Sequence, residues 1–357
     1  MRNPLNFPSW LKPEIIPGLP FRWYGLMYIV AFAIAFLLYR RQVRERNFPM
    51  NDDQLSSLFG WGILCLLLGA RLVAAIVYET SDIYVRQPWL VFWPFRNGRF
   101  IGFQGMSYHG GVIGGIFSIL IYSRIKRWDY REIGDMYAAS IPLGFTFGRL
   151  GNFINGELFG RITASPLGMI FPDGGISPGA KDWQLIRDGA ASMGLVDASY
   201  TGVLNLPRHP SQLYEAFFEG VILWAIIWFF RNRKPFKGFL VSLYLMGYGF
   251  FRFFIEYFRE PDAELGYRIS FVSHNLPQAL SHPLLSFSTG QLFCIGMILL
   301  GLLWLFIASR LPNREPVRVY PAANTPSVNA FAADPERQKE KGAARNSRRK
   351  LRKALKR

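Results

Sequence analysis

Within the fourteen residues Gly148 to Arg161, which read Gly-Arg-Leu-Gly-Asn-Phe-Ile-Asn-Gly-Glu-Leu-Phe-Gly-Arg, stand Arg149, Asn152, Asn155, Glu157 and Arg161. The string runs straight out of an apolar segment of bilayer length. An arginine at the centre of a membrane helix costs about 2.5 to 3.5 kcal/mol on insertion scales, so polar residues kept at that depth are paired or used. Guanidinium groups bind phosphate oxygens two at a time, and asparagine holds hydroxyls or ester carbonyls. The chemistry written here is recognition of a phosphate ester.

Other segments add to it. Tyr248, Arg252, Glu256 and Arg259 recur at i, i+4, i+8 and i+11, one stripe on a helix whose other faces carry Phe250, Phe251, Phe253, Phe254 and Phe258. His109 opens another apolar segment, and His209-Pro210-Ser211-Gln212-Leu213-Tyr214-Glu215 opens a third. Each residue has a plainer reading. Arg161 or Arg259 alone would snorkel to the interface, Arg252 would pair with Glu256 one turn on, and His109 would be a neutral, hydrogen-bonded helix start. Arg71, deep in an apolar run beside Gly69 and Ala70, reads as a buried partner in a helix contact.

Composition says which elements must position these groups. The chain has 357 residues, 50% hydrophobic and only 18% charged, against about 25% charged for a soluble domain. Seven apolar runs have membrane length, roughly 22 to 39, 57 to 78, 109 to 125, 133 to 152, 212 to 230, 238 to 258 and 289 to 309. The expected fold is an all-α multi-pass membrane protein of seven helices.

Basic clusters follow the first run (Arg40, Arg41, Arg44, Arg46), the third (Arg124, Lys126, Arg127, Arg131) and the fifth (Arg231, Arg233, Lys234, Lys237). By the positive-inside rule these loops are cytoplasmic, which puts the N-terminus outside and the C-terminus inside. The polar residues named above then gather at one depth, toward the extracytoplasmic side. Because its basic cluster follows the apolar run, the first segment reads as a retained span and not a cleaved signal peptide.

The expected organisation is a transmembrane catalytic domain over 1–309, with a Pro/Gly-rich extracytoplasmic head inserted at 162–210, and a basic, disordered tail over 310–357. From Arg310 onward 14 Lys or Arg stand against 4 Asp or Glu, a surplus of ten of the formal +17. Such a tail is drawn to anionic lipid, so the charge is not a nucleic-acid footprint and no nucleic-acid partner is expected. Residues 79 to 108, with Trp89, Trp93 and Arg99, read as interfacial. Gly110, Gly111, Gly114 and Gly115 hold two overlapping GxxxG spacings for close helix approach, and Gly148, Gly151, Gly156 and Gly160, which break or tighten the chain as it leaves the membrane, predict a cavity beside Arg149. Cys65 and Cys294, the only cysteines, read as packing residues without metal or redox spacing. No P-loop or GxGxxG element is present, and no cofactor or metal is expected.

The string Gly148 to Arg161, together with Ser107-Tyr108-His109-Gly110-Gly111, Trp23-Tyr24-Gly25-Leu26-Met27-Tyr28, His209 to Glu215 and Arg252 to Arg259, resembles the motifs of the prolipoprotein diacylglyceryl transferases, in order over about residues 20 to 310. That resemblance implies a bacterial plasma (inner) membrane enzyme that needs no cofactor. Its partners would be phosphatidylglycerol, the lipobox cysteine of a prolipoprotein and the bilayer, and its products a diacylglyceryl thioether and glycerol phosphate. It puts the family's phospholipid-binding arginine on Arg149, a second essential arginine on Arg252 and a conserved histidine on His109. Asn152, Glu157, Gly160, Tyr28, Tyr248 and Glu256 fall on its other functional positions. His109 either takes the thiol proton or positions lipid. A membrane acyltransferase, or a phospholipid or anion transporter, would also place arginines in a membrane cavity; a transporter would open its site to both faces in turn.

Overall fold

The computed structural model describes residues 4–16, 18, 21–78, 83–93, 95–96, 99–100, 105–260, 267–270, 277, 279–280 and 284–312. The expected basic tail lies outside them from residue 313 onward. The chain divides into two units, Met1–Gln42 with Asp52–Arg314, and Val43–Asn51 with Glu315–Arg357. Among the described residues the second holds only the end of the first helix and the turn after it, where the Phe48 amide donates to the Val43 carbonyl at 2.9 Å.

The helices are α1 Trp23–Glu45, α2 Asp52–Val73, α3 Ile83–Arg86, α4 Tyr108–Lys126, α5 Tyr130–Ala138, α6 Ile141–Ile154, α7 Trp183–Ser192, α8 Ser211–Glu215, α9 Leu223–Phe230, α10 Phe239–Ile255 and α11 Thr289–Arg310. A wider π turn, Ala216–Ile222, joins α8 to α9 without a break. Among the described residues, four continuous helices are long and apolar enough to cross a membrane: Trp23–Glu45, Asp52–Val77, Ser211–Phe230 and Thr289–Arg310. On α11, Leu299 and Phe306 are each 59% exposed. A face of that composition is stable against lipid and not against water. This is a helical membrane protein.

Of the other three expected runs, 109 to 125 is the single continuous helix α4, Tyr108–Lys126, and the remaining two differ from the sequence reading. α10 is apolar but 17 residues long. The run 133 to 152, expected as one helix, is two: α5 ends at Ala138, and α6 begins with Pro142 in its first turn. Proline has no amide hydrogen and its ring collides with the carbonyl four residues earlier, so the helix must restart there. Backbone groups freed at membrane depth need partners from within the protein. The Met136 carbonyl accepts from Ser140 Oγ at 2.8 Å and from Gln42 Nε2 of α1 at 3.0 Å, and Gln42 is fully buried.

Glycine sets the closest helix contact. A Cβ on Gly110 would stand 2.3 Å from the Gly69 carbonyl oxygen, and one on Gly114 would stand 2.0 Å from that of Cys65, so α4 lies backbone to backbone on α2. Gly115 faces open space and takes no part. Arg71, 7% exposed, reaches from α2 to the segment preceding α4, donating to the Gly105 carbonyl at 3.1 Å and to the Tyr84 hydroxyl at 2.8 Å. Its role is structural, as expected, although its partners are a loop and a short helix. In the same stretch Trp89 and Trp93 are exposed.

At the other end of α10 the buried carboxylate of Asp135, on α5, accepts from the amides of Gly238 (2.9 Å), Leu240 (2.9 Å) and Val241 (3.1 Å). These are orphan donors of the first helical turn, satisfied here by a neighbouring helix. Residues 162–210 enclose a small core of their own, with Ile162, Trp183, Ile186, Leu204 and Leu206 packed together and against Leu280.

Candidate active site

Three helices converge on one carboxylate. Glu215, at the end of α8, holds Oε2 2.8 Å from Arg149 Nε on α6 and 3.0 Å from Arg252 Nη1 on α10. Its other oxygen lies 3.9 Å from Arg259 Nε. Glu219, in the π turn, stands 3.7 Å from Arg252 Nη1, and Glu256 stands 3.3 Å from Arg252 Nη2. Tyr248 lies against Glu219 and against Tyr108. Glu215 and Glu219 are buried to 1% or less.

The local fold explains the meeting. Thr146 of α6 donates its hydroxyl to the Ala216 carbonyl at 3.2 Å, just where the helix widens. A side chain inserted into the backbone ladder is a known cause of such bulges. Four residues on, a Cβ at Gly220 would stand 2.0 Å from Thr146 Oγ1, so only glycine lets α6 seat this deeply. Arg149, one turn beyond Thr146, is thereby aimed at Glu215.

A second set of contacts extends from Arg149. Its Nη1 donates to Asn152 Oδ1 at 3.4 Å, and its guanidinium lies 4.9 Å from the centroid of the Phe145 ring. Asn152 Nδ2 donates to Glu157 Oε1 at 2.9 Å, and Asn155 Nδ2 to the same oxygen at 3.3 Å. Tyr24 approaches Asn152 and Glu157, and its hydroxyl is 2.9 Å from that of Tyr28, whose side chain is exposed. Gln212 ties the strand of chain down, donating to the Glu157 carbonyl at 2.6 Å. A cavity of about 430 Å³, lined in part by Asn6, Phe7, Asn155, Phe171, Asp173 and Asn205, adjoins this cluster.

The remaining expected site residues are placed as follows. Gly160 sits where chains touch: a Cβ there would stand 2.2 Å from the Phe258 carbonyl oxygen, and its amide donates to the His209 carbonyl at 2.8 Å. Its contribution is close backbone approach. Glu256 also accepts from Ser288 Oγ at 3.1 Å, which ties Arg252 to the start of α11. His109 is exposed, its ring 5.8 Å from Phe293 of α11 and 5.9 Å from Tyr108 between centroids. Arg161 is 3% exposed and does not snorkel to the surface, contrary to its plainer sequence reading. Burial lowers the pKa of His209.

Glu215 and Glu219 were not among the expected site residues, and neither were Tyr24 and Tyr108. The sequence does carry a signal for the carboxylates. They stand at i and i+4 in an apolar run where isolated anions are not tolerated.

The motif for prolipoprotein diacylglyceryl transferase matches residues 14–307. The chain belongs to that family. It is 53% identical over 315 residues to the phosphatidylglycerol–prolipoprotein diacylglyceryl transferase of Treponema denticola, covering 84% of this chain and 92% of the relative. It is 48% identical over 326 residues to the protein of that name from Treponema pallidum, covering 87% and 97%. The relative of the same name from Chlorobaculum tepidum is 39% identical over 303 residues, covering 83% and 90%. As a member of the prolipoprotein diacylglyceryl transferase family, the chain is a membrane transferase. Its resemblance in five sequence motifs thus extends to nearly the whole matched length.

Proposed function

We propose that this chain transfers the diacylglyceryl group of phosphatidylglycerol to the thiol of a prolipoprotein lipobox cysteine, with Arg149 and Arg252 holding the phosphate. Family membership and the shared name of the relatives support the reaction. The observation that carries the assignment of the site is the convergence of the two guanidiniums, from different helices, on one carboxylate oxygen at 2.8 and 3.0 Å.

The chemistry follows from that arrangement. The cysteine thiol loses its proton, the thiolate attacks the glycerol carbon that carries the phosphate, a C–S bond forms as the C–O bond breaks, and glycerol phosphate leaves. A thiol of ordinary pKa is a weak nucleophile until deprotonated, and a neutral histidine accepts its proton. His109 is the protein group assigned that step. Negative charge grows on the departing phosphate, and two guanidiniums already engaged with it offset that charge. Asn152, held by Glu157, and Tyr28, reached through Tyr24, are assigned to the glycerol hydroxyls and ester carbonyls.

The orientation belongs to the same proposal. Seven passes, with the basic loops in the cytoplasm of a bacterium, put the site on the extracytoplasmic side of the plasma membrane, where an exported prolipoprotein presents its cysteine. The test is incubation of the purified protein with phosphatidylglycerol and a lipobox peptide. The expected product carries the mass of a diacylglyceryl thioether and appears with an equivalent of glycerol phosphate. A peptide bearing one acyl chain, or no product, would overturn the reading.

A further inference from the structure

We infer that the Glu215 carboxylate is a built-in stand-in for the substrate phosphate, and that it gives up Arg149 and Arg252 each time a phosphate ester enters and reclaims them as the product leaves. This deepens the proposed function and rests on it for the identity of the lipid.

Three observations carry the inference. The first is position. Glu215 Oε2 occupies the point shared by Arg149 Nε and Arg252 Nη1, while Oε1 faces Arg259 Nε at 3.9 Å. One carboxylate therefore sits where two oxygens of a phosphate would sit among three guanidiniums. The second is quality of contact. Despite those distances, Arg149 Nε, Arg252 Nη1 and both Glu215 oxygens are buried without a partner in hydrogen-bonding geometry. A buried ion pair recovers its desolvation cost only with well-aligned hydrogen bonds. A phosphate, with three or four acceptor oxygens in tetrahedral array, aligns with forked guanidiniums where a planar carboxylate does not. The third is what surrounds Glu215. Besides the three arginines, the ionisable groups facing the site among the described residues include Glu219 from the π turn, Glu256 beyond the end of α10, Tyr248 and Tyr244 from α10, Tyr108 from α4 and Cys294 from α11. Glu219 and Glu256 remain on Arg252 when Glu215 lets go, so the exchange does not strand that cation.

A stand-in of this kind weakens phosphate binding on purpose. The lipid and the released glycerol phosphate present the same ester to the same arginines, and a site that bound the product tightly would stall. A carboxylate in competition shortens the stay of both.

The experiment is phosphate affinity in the Glu215→Gln variant of the full-length protein in detergent. Binding of inorganic phosphate and of glycerol phosphate is read by thermal stabilisation, and phosphatidylglycerol in nanodiscs is read in parallel to separate headgroup from free anion. Glutamine keeps the size and removes the charge. Glycerol phosphate is expected to bind about fivefold more tightly, a modest value for two ligands coupled through one site. With lipid and peptide, kcat is expected to fall while the KM for phosphatidylglycerol also falls, because release has become slow. If glutamine prevents folding, Glu215→Asp serves. Its shorter arm is expected to hold at most one guanidinium, and tighter binding in the same direction is expected. Unchanged or weaker phosphate binding by a folded variant would make Glu215 a clamp that orients the arginines and overturn the inference. The binding arm needs no turnover, so a protein that fails to modify the peptide while showing the affinity change would sink the proposed reaction and leave the stand-in intact.

Discussion

Arg149 uses what distinguishes arginine from lysine. Its Nε faces Glu215 while Nη1 donates to Asn152 and the flat guanidinium lies near the Phe145 ring. An ammonium is a point charge and fills one of these positions at a time. Arg149→Lys is therefore expected to lose about a hundredfold in turnover, the scale of removing one preorganised donor, with an unfolding midpoint in detergent close to that of the parent. Near-normal turnover would remove Arg149 from phosphate recognition. His109 calls for a different experiment. If it takes the thiol proton, His109→Gln depresses kcat near neutrality, and the rate recovers as pH rises toward about 8.5, where a free thiol ionises unaided. Arg149→Lys should show no such recovery, because thiolate does not replace a missing phosphate contact. A His109→Gln profile parallel to the parent's, with no recovery at high pH, would assign His109 to lipid positioning alone.

At the scale of elements, the glycine seam between α2 and α4 is the most demanding contact. Gly114→Ala would drive a methyl to 2.0 Å from a backbone oxygen, where no flexible side chain can yield, and a cost of about 2 kcal/mol or more is expected. Gly115→Ala, one residue on and facing open space, is the matched control. The unfolding midpoint should drop for the first and hold for the second; equal midpoints would mean the helices are not in close contact in the bilayer. Much of the element layer is legible in the sequence. Apolar runs give α1, α2 and α11 directly, and the spacing of Gly110 and Gly114 marks the seam. The division of the 133 to 152 run escapes a reading by hydropathy, and Pro142 is the residue that marks it. The site is legible in part. Arg149, Asn152 and Arg252 stand out as costly residues, whereas Glu215 and Glu219 look like the start of a span until α6 is seated on them by Gly220 and Thr146. Sequence spacing shows which residues share one helix; it does not show which faces of three helices meet.

For the whole molecule, orientation is the property to measure. A reporter inserted near Gly175 should be active only outside the cell and one fused after Arg310 only within it; the reverse pattern would carry the arginine cluster to the inner leaflet, away from exported substrates. One further consequence concerns how the two arginines keep their distance. Asp135 fastens the first turn of α10 to α5, and α5 leads through the Ser140–Pro142 joint into α6. At about 1.5 Å per residue, the 17 residues of α10 and the 14 of α6 act as the two legs of a pair of dividers hinged at Asp135, with Arg252 and Arg149 near the points. Asp135→Ala, which frees those amides, is therefore expected to lower turnover although Asp135 stands outside the arginine cluster, by letting the two points drift apart; turnover equal to the parent's would show that the spacing is held elsewhere.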